Sequence, residues 1–216
     1  MSKKYEIFLF DLDGTITDSA LGITNSVMYA LKKFGIEETD RTKLYKFIGP
    51  PLTESFEKFY GFTKEQSLDG VKYYREYYHD KGIYENRVYD GLEEVLKKIN
   101  EAGKQAIVAT SKPEEYAKII IDHFHLTKYF ACVAGMEMDG GRGTKAQVIT
   151  YALDKNDITD KSNVLMIGDR EHDVIGAHEN GLDCLGILYG FGSRKEFEEA
   201  GADYIRENVE DILQFV

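Results

Sequence analysis

The sequence predicts an α/β protein, a doubly wound parallel sheet with an all-α helical insertion. Three observations lead there. Short β-type apolar runs alternate with helical patterns over most of the 216 residues. Those runs are apolar throughout, as parallel strands covered by helices on both faces are. One long stretch after the first run carries helical periodicity and no convincing strand.

Taken in order, Ile7–Phe10 is the first strand. From about Asp18 to about Glu85 the alternation stops: Ile23, Val27, Leu31 and Phe34 mark one helix face that Gly35 ends. Leu52–Phe59 and Lys64–His79 also read as helices, and Tyr73, Tyr74, Tyr77 and Tyr78 as a helix–helix packing surface. Strands Ala106–Ala109, Phe130–Val133, Val164–Ile167 and Cys184–Leu188 then alternate with helices Glu93–Glu101, Glu114–Phe124, Lys145–Leu153 and Asp173–Asn180. Gly103 and Gly181 stand where C-terminal caps belong.

Composition narrows the function. With 43% hydrophobic and 30% charged residues, the chain has enough apolar surface for a real core. The formal net charge of −11 argues against a nucleic-acid polymer as partner, and against an anionic membrane surface. An anionic substrate then needs local positive charge. Cys132 and Cys184 both lie in apolar runs and read as buried thiols. No leader, membrane-length run or lipidation motif is visible, so a cytoplasmic location is expected.

The chemistry starts at FLFDLDGT, Phe8–Thr15, where an apolar strand runs into two carboxylates two residues apart with no basic partner in the run. Like charges that close repel, so packing does not ask for them. In doubly wound sheets, ligands gather beyond the carboxyl ends of the strands. There the first strand delivers Asp11 and Asp13, and the second delivers Thr110, Ser111 and Lys112. The loop GGRGTK brings Lys145 to a helix start, and the strand ending at Ile167 leads into Gly168-Asp169-Arg170-Glu171-His172-Asp173.

A phosphate ester would use every one of these groups. Clustered carboxylates are hard oxygen ligands for Mg²⁺, whose charge removes their repulsion. One carboxylate can attack phosphorus, and a second nearby can serve as general acid and then base. A lysine and hydroxyls offset charge on the phosphoryl oxygens, and Gly14 lets the backbone turn close to them.

The set FDLDGT (Phe10–Thr15) followed by Asp18-Ser19, ATSKP (Ala109–Pro113), Thr144-Lys145 and GDREHD (Gly168–Asp173) resembles the haloacid dehalogenase superfamily. Within it, the chain is similar to phosphatases with a helical cap inserted after the first motif. The resemblance implies a Rossmann-like core of residues 1–15 and 85–216 and a helical cap of 16–84. It implies Asp11 as nucleophile and Asp13 as acid/base. Thr110, with Ser111 beside it, would bind the phosphoryl group, and Lys145 would pair with both phosphate and nucleophile. Mg²⁺ would be held by Asp11, the Asp13 carbonyl, Asp169 and Asp173, the last directly or through water. The substrate would be a small phosphorylated metabolite, phosphoglycolate or a nucleoside 5′-monophosphate.

Two rivals use similar parts. A phosphosugar mutase of the same fold carries an arginine in its cap loop, and the corresponding Phe47-Ile48-Gly49-Pro50-Pro51-Leu52 has none. A receiver-type signalling module, which is not an enzyme, would lack the helical insertion. GGRGTK fails the P-loop spacing. His123, His125, His172 and His178 lack the partners zinc requires, and Arg170 and Glu171 read as solvated.

Overall fold

In the computed structural model, which describes residues 3–138 and 141–216, the chain divides into two units. One comprises Met1–Thr17 with Val88–Val216, the other Asp18–Arg87. The elements run β1 (Ile7–Phe10), β2 (Thr17–Asp18), α1 (Ala20–Lys33), α2 (Leu52–Tyr60), α3 (Lys64–Tyr77), β3 (Arg87–Val88) and α4 (Leu92–Glu101). There follow β4 (Gln105–Pro113), α5 (Glu114–His123), β5 (Phe130–Met136), α6 (Lys145–Lys155), β6 (Val164–Gly168), α7 (Glu171–Glu179), β7 (Asp183–Ile187), α8 (Arg194–Ala200) and β8 (Tyr204–Arg206).

The larger unit is built on a parallel sheet ordered β5-β4-β1-β6-β7-β8. β1 runs between β4 and β6, and its Phe8, Leu9 and Phe10 are wholly buried. Burying each such side chain contributes about 1.5–3 kcal/mol, so the strand that presents Asp11 is among the best anchored. On one face Leu9, Ile107 and Met166 pack with Val148, Ile149 and Val174 of the crossover helices. Gly103 and Gly181 follow the ends of α4 and α7 in the left-handed region that such caps use.

β5 departs from the expectation of strands buried on both faces. It lies at the sheet edge, so Ala131 is exposed and Cys132 and Val133 are only half-buried. Cys132 is thus not a fully buried thiol, whereas Cys184 in interior β7 is buried; neither forms a disulfide. β4 runs four residues beyond the expected Ala109, as far as Pro113. The opposite edge, β8, is half-buried throughout, and it escapes a search for continuous apolar runs.

The smaller unit is helical. α1 and α3 pack with α2 and a 3₁₀ turn at Arg41–Phe47 around Val27, Leu31, Phe47 and Phe56. The tyrosines of α3 are packing residues: Tyr77 meets Tyr29 at 5.6 Å between ring centres, Tyr73 meets Phe34 at 5.6 Å, and Tyr74 stacks on Tyr78. Thr63 and Gln66 close a capping box at the start of α3. β2 and β3 form a separate two-stranded sheet. Among the described residues no helix is long and apolar enough to cross a membrane.

Candidate active site

The site is built at the carboxyl ends of β1, β4 and β6, all in the larger unit. Asp11 follows β1 directly, and its amide donates to the Ile167 carbonyl at 2.9 Å, which ties the start of this loop to β6. The chain then folds into a tight turn in which the Leu12 carbonyl accepts from the amides of Thr15, Ile16 and Thr17. Gly14 lies in that turn at φ +88°, and a Cβ there would fall inside the Asp169 carboxylate.

Lys145 enters from α6. Its position at the first helical residue is set by a capping box: Thr144 Oγ1 accepts from the Gln147 amide, while Gln147 Oε1 accepts from the Thr144 amide. Of the GGRGTK loop ahead of it, Gly140 lies outside the described residues. The Lys145 ammonium is buried 2.8 Å from Asp11 Oδ1 and 2.8 Å from Asp173 Oδ1, and donates to the Ala109 carbonyl at 3.0 Å. Burial works to lower its pKa, but Asp11 and Asp173 overcome that and hold it above the ordinary lysine value.

Asp169 ends the path of β6 and is wholly buried. One of its oxygens accepts from the Phe191 amide at 2.8 Å, and the other, Oδ1, has no hydrogen-bond partner among the described residues. Burial first, then the charges of Asp173 and Asp11, push its carboxyl well above the usual range. Asp173 is raised as well, chiefly by burial, although Lys145 works against the shift. Its Oδ2 accepts from the Arg170 amide at 3.1 Å, so the side chain caps its own helix while facing the site.

Asp11, Asp169 and Asp173 each offer an oxygen within 4.8 Å of the others. Two of these three buried carboxylates, Asp11 and Asp173, share the Lys145 ammonium, and Asp169 Oδ1, with no hydrogen-bond partner among the described residues, is a costly buried acceptor as it stands. An all-oxygen set of this kind suits a hard divalent cation such as Mg²⁺ and would relieve both conditions.

Thr110 is buried at the end of the apolar part of β4, its Oγ1 accepting from the Lys112 amide at 3.2 Å, with half-buried Ser111 beside it. Asp13 stands apart from the three-carboxylate cluster. Its Oδ2 lies 2.6 Å from the buried Lys112 ammonium, and its Oδ1 has no hydrogen-bond partner among the described residues. Each carboxylate of the opening motif therefore does have a basic partner, drawn from a distant element. Sequence reasoning placed Lys112 at this strand end and assigned it nothing; its signal was its position directly after Thr110-Ser111. The Tyr189–Gly192 loop, which supplies the Phe191 amide, was missed, and its two glycines were the available signal.

One expectation is corrected. Arg170 is not solvated: its Nε lies 2.8 Å from Glu196 Oε1 because α8 packs against α7. Glu171 is exposed.

The family of haloacid dehalogenase-like hydrolases matches residues 8–187, a span that holds Asp11, Asp13, Thr110, Lys112, Lys145, Asp169 and Asp173. The chain belongs to that family. Among curated relatives, this haloacid dehalogenase-like hydrolase is 45% identical over 193 residues to a 5′-nucleotidase of Pseudomonas aeruginosa, covering 89% of this chain and 87% of that one. It is 35% identical over 188 residues to the tyrosine-protein kinase PtkA of Mycobacterium tuberculosis, which covers 87% of this chain and 63% of PtkA. A crystal structure of a predicted phosphatase from Clostridium acetobutylicum superposes with a TM-score of 0.94 at 47% identity, over 98% of both chains. The hydrolase is an enzyme of the phosphoric monoester hydrolase class.

Proposed function

We propose that this hydrolase is a Mg²⁺-dependent phosphatase that cleaves a small phosphomonoester through an aspartyl phosphate on Asp11, with a nucleoside 5′-monophosphate as the favoured substrate. The observation that carries the mechanism is Lys145, held between Asp11 and Asp173 beside the unpartnered Asp169 Oδ1. The substrate class is supported by the 45% identity to a 5′-nucleotidase.

In this reading a carboxylate oxygen of Asp11 attacks phosphorus while the bond to the ester oxygen breaks. Asp13 gives the departing alkoxide a proton, then takes one from the water that hydrolyses the acyl phosphate and returns Asp11. Lys145 orients Asp11 and offsets charge on the phosphoryl oxygens, aided by the Thr110 hydroxyl, with Ser111 and the Gly14 turn beside it. Mg²⁺, held by Asp11, Asp169, the Asp13 carbonyl and Asp173 directly or through water, would supply Lewis-acid neutralisation of phosphoryl charge. The helical unit 18–87 would act as a cap and select the substrate, with Phe47–Leu52 as the selecting loop.

A panel of phosphomonoesters assayed for released inorganic phosphate tests this reading. Nucleoside 5′-monophosphates should give the highest kcat/KM, and EDTA should abolish turnover until Mg²⁺ is returned. Undiminished turnover in chelator overturns the mechanism; preference for phosphoglycolate or another ester overturns the substrate class alone.

A further inference from the structure

We infer that Lys112 is a positioning residue that holds Asp13 in place for leaving-group protonation; the inference rests on the acid–base reading of Asp13. Asp13 Oδ2 is 2.6 Å from Lys112 Nζ, and the two side chains are 12% and 5% exposed. The pair joins residues 99 apart in the chain, so folding brings it together, not a local turn. Among the described residues Asp13 Oδ1 has no hydrogen-bond partner, which leaves the Lys112 contact to set the direction of the carboxylate.

The same residue also reaches the phosphoryl side of the site. Its backbone amide donates to Thr110 Oγ1 at 3.2 Å. Lys112 thus links the end of β4 to two groups with different jobs, a hydroxyl for the phosphoryl oxygens and a carboxylate for the leaving oxygen. The strand end is itself held tightly, since a Cβ on Gly135 of neighbouring β5 would lie 2.6 Å from the Lys112 carbonyl. A lysine fixed at its backbone and buried along its stem is a firm anchor for a carboxylate that must meet the leaving oxygen within hydrogen-bond reach.

Lys112 acts through Asp13, so its loss should matter most where a proton must be delivered. The test compares Asp13→Ala, Lys112→Met, Lys112→Gln and the Asp13→Ala/Lys112→Met double variant on an alkyl phosphomonoester and on p-nitrophenyl phosphate. Mg²⁺ is held saturating and folding is checked by thermal melts. Asp13→Ala should lose about 10²–10⁴-fold more kcat on the alkyl ester than on the aryl ester, the usual size of general acid–base catalysis. Lys112→Met should show the same skew at about 10–10²-fold with KM nearly unchanged, as misplacement of a catalytic group does. The double variant should be no worse on the alkyl ester than Asp13→Ala, because the two act as one unit. Lys112→Gln, which keeps an N–H donor, should recover part of the loss; if the Met variant does not fold, the Gln variant must itself show the skew.

Equal losses on both esters, a raised KM with unchanged kcat, or additive losses in the double variant overturn the inference. Skew in Asp13→Ala without skew at Lys112 overturns the inference alone. No skew in Asp13→Ala overturns the acid–base reading and this inference with it.

Discussion

Gly14 and Asp169 share one small volume: a Cβ on Gly14 would occupy the position of the Asp169 carboxylate. The turn after the first strand and the buried acid after β6 therefore fit together only while position 14 has no side chain. Gly14→Ala should lower stability by about 1–2 kcal/mol from the left-handed backbone alone, and displacement of Asp169 should add to that. Mg²⁺ affinity, read by calorimetry on the folded variant, should fall at least tenfold. Unchanged affinity would separate Asp169 from the metal.

Among the described residues Lys145 is the one ammonium in contact with the three-carboxylate cluster, 4% exposed and shared by Asp11 and Asp173. Lys145→Met should cost about 3–5 kcal/mol in metal-free protein, as breaking a buried pair does. Denaturant unfolding in EDTA measures this. Added Mg²⁺ should restore part of the stability but not the turnover, since the orienting donor to Asp11 stays absent. Stability equal to the parent in EDTA would mean that the carboxylates do not need the ammonium.

The buried acids make the benefit of metal pH-dependent. Asp169 titrates in the fold well above its unfolded value near 3.9, because of burial and then Asp173 and Asp11. A raised acid pKa means that the native state binds more protons than the unfolded chain. Metal-free stability is therefore lost as pH rises from the unfolded pKa through the folded one. Metal binding needs these carboxylates deprotonated, so the rise in Tm caused by Mg²⁺ should be larger at pH 8 than at pH 5. Melts at both pH values check it, and equal shifts would show that the cluster does not bind the ion.

Asp11→Asn keeps the shape of the nucleophile and removes its charge, so turnover should fall by several orders of magnitude. Single turnover of the unaltered enzyme in ¹⁸O-water does not separate covalent from direct attack. Hydrolysis at phosphorus puts the label in phosphate either way in the first cycle. The acyl-phosphate bond to Asp11 is diagnostic instead: acid quench during turnover should trap a phosphorylated Asp11 peptide, sensitive to hydroxylamine. Its absence throughout a fast-quench time course that captures substrate loss would rule the intermediate out.

Much of the fold and site was legible because it is written locally. The apolar runs at Ile7–Phe10 and Val164–Ile167 are interior strands of the sheet, since continuous burial demands continuous apolar sequence. Asp11 and Asp13 are exposed as functional candidates by their spacing, because repelling carboxylates at a strand end have no packing reason to be there. Lys145 is announced by Thr144, whose cap starts the helix one residue earlier.

Tertiary structure decided what depends on which segments become neighbours. Lys112 and Asp13 are 99 residues apart, and nothing near either one specifies the other. Asp169 meets the Phe191 amide 22 residues away only because the loop after β7 folds back across the end of β6. Phe130–Val133 carries the composition of an interior strand yet lies at an edge, since strand order is set by the crossovers and not by the strand. Local periodicity follows from the geometry of one chain segment, whereas pairing, edge position and the partners of a buried charge follow from how segments meet, and that information is distributed over the whole chain.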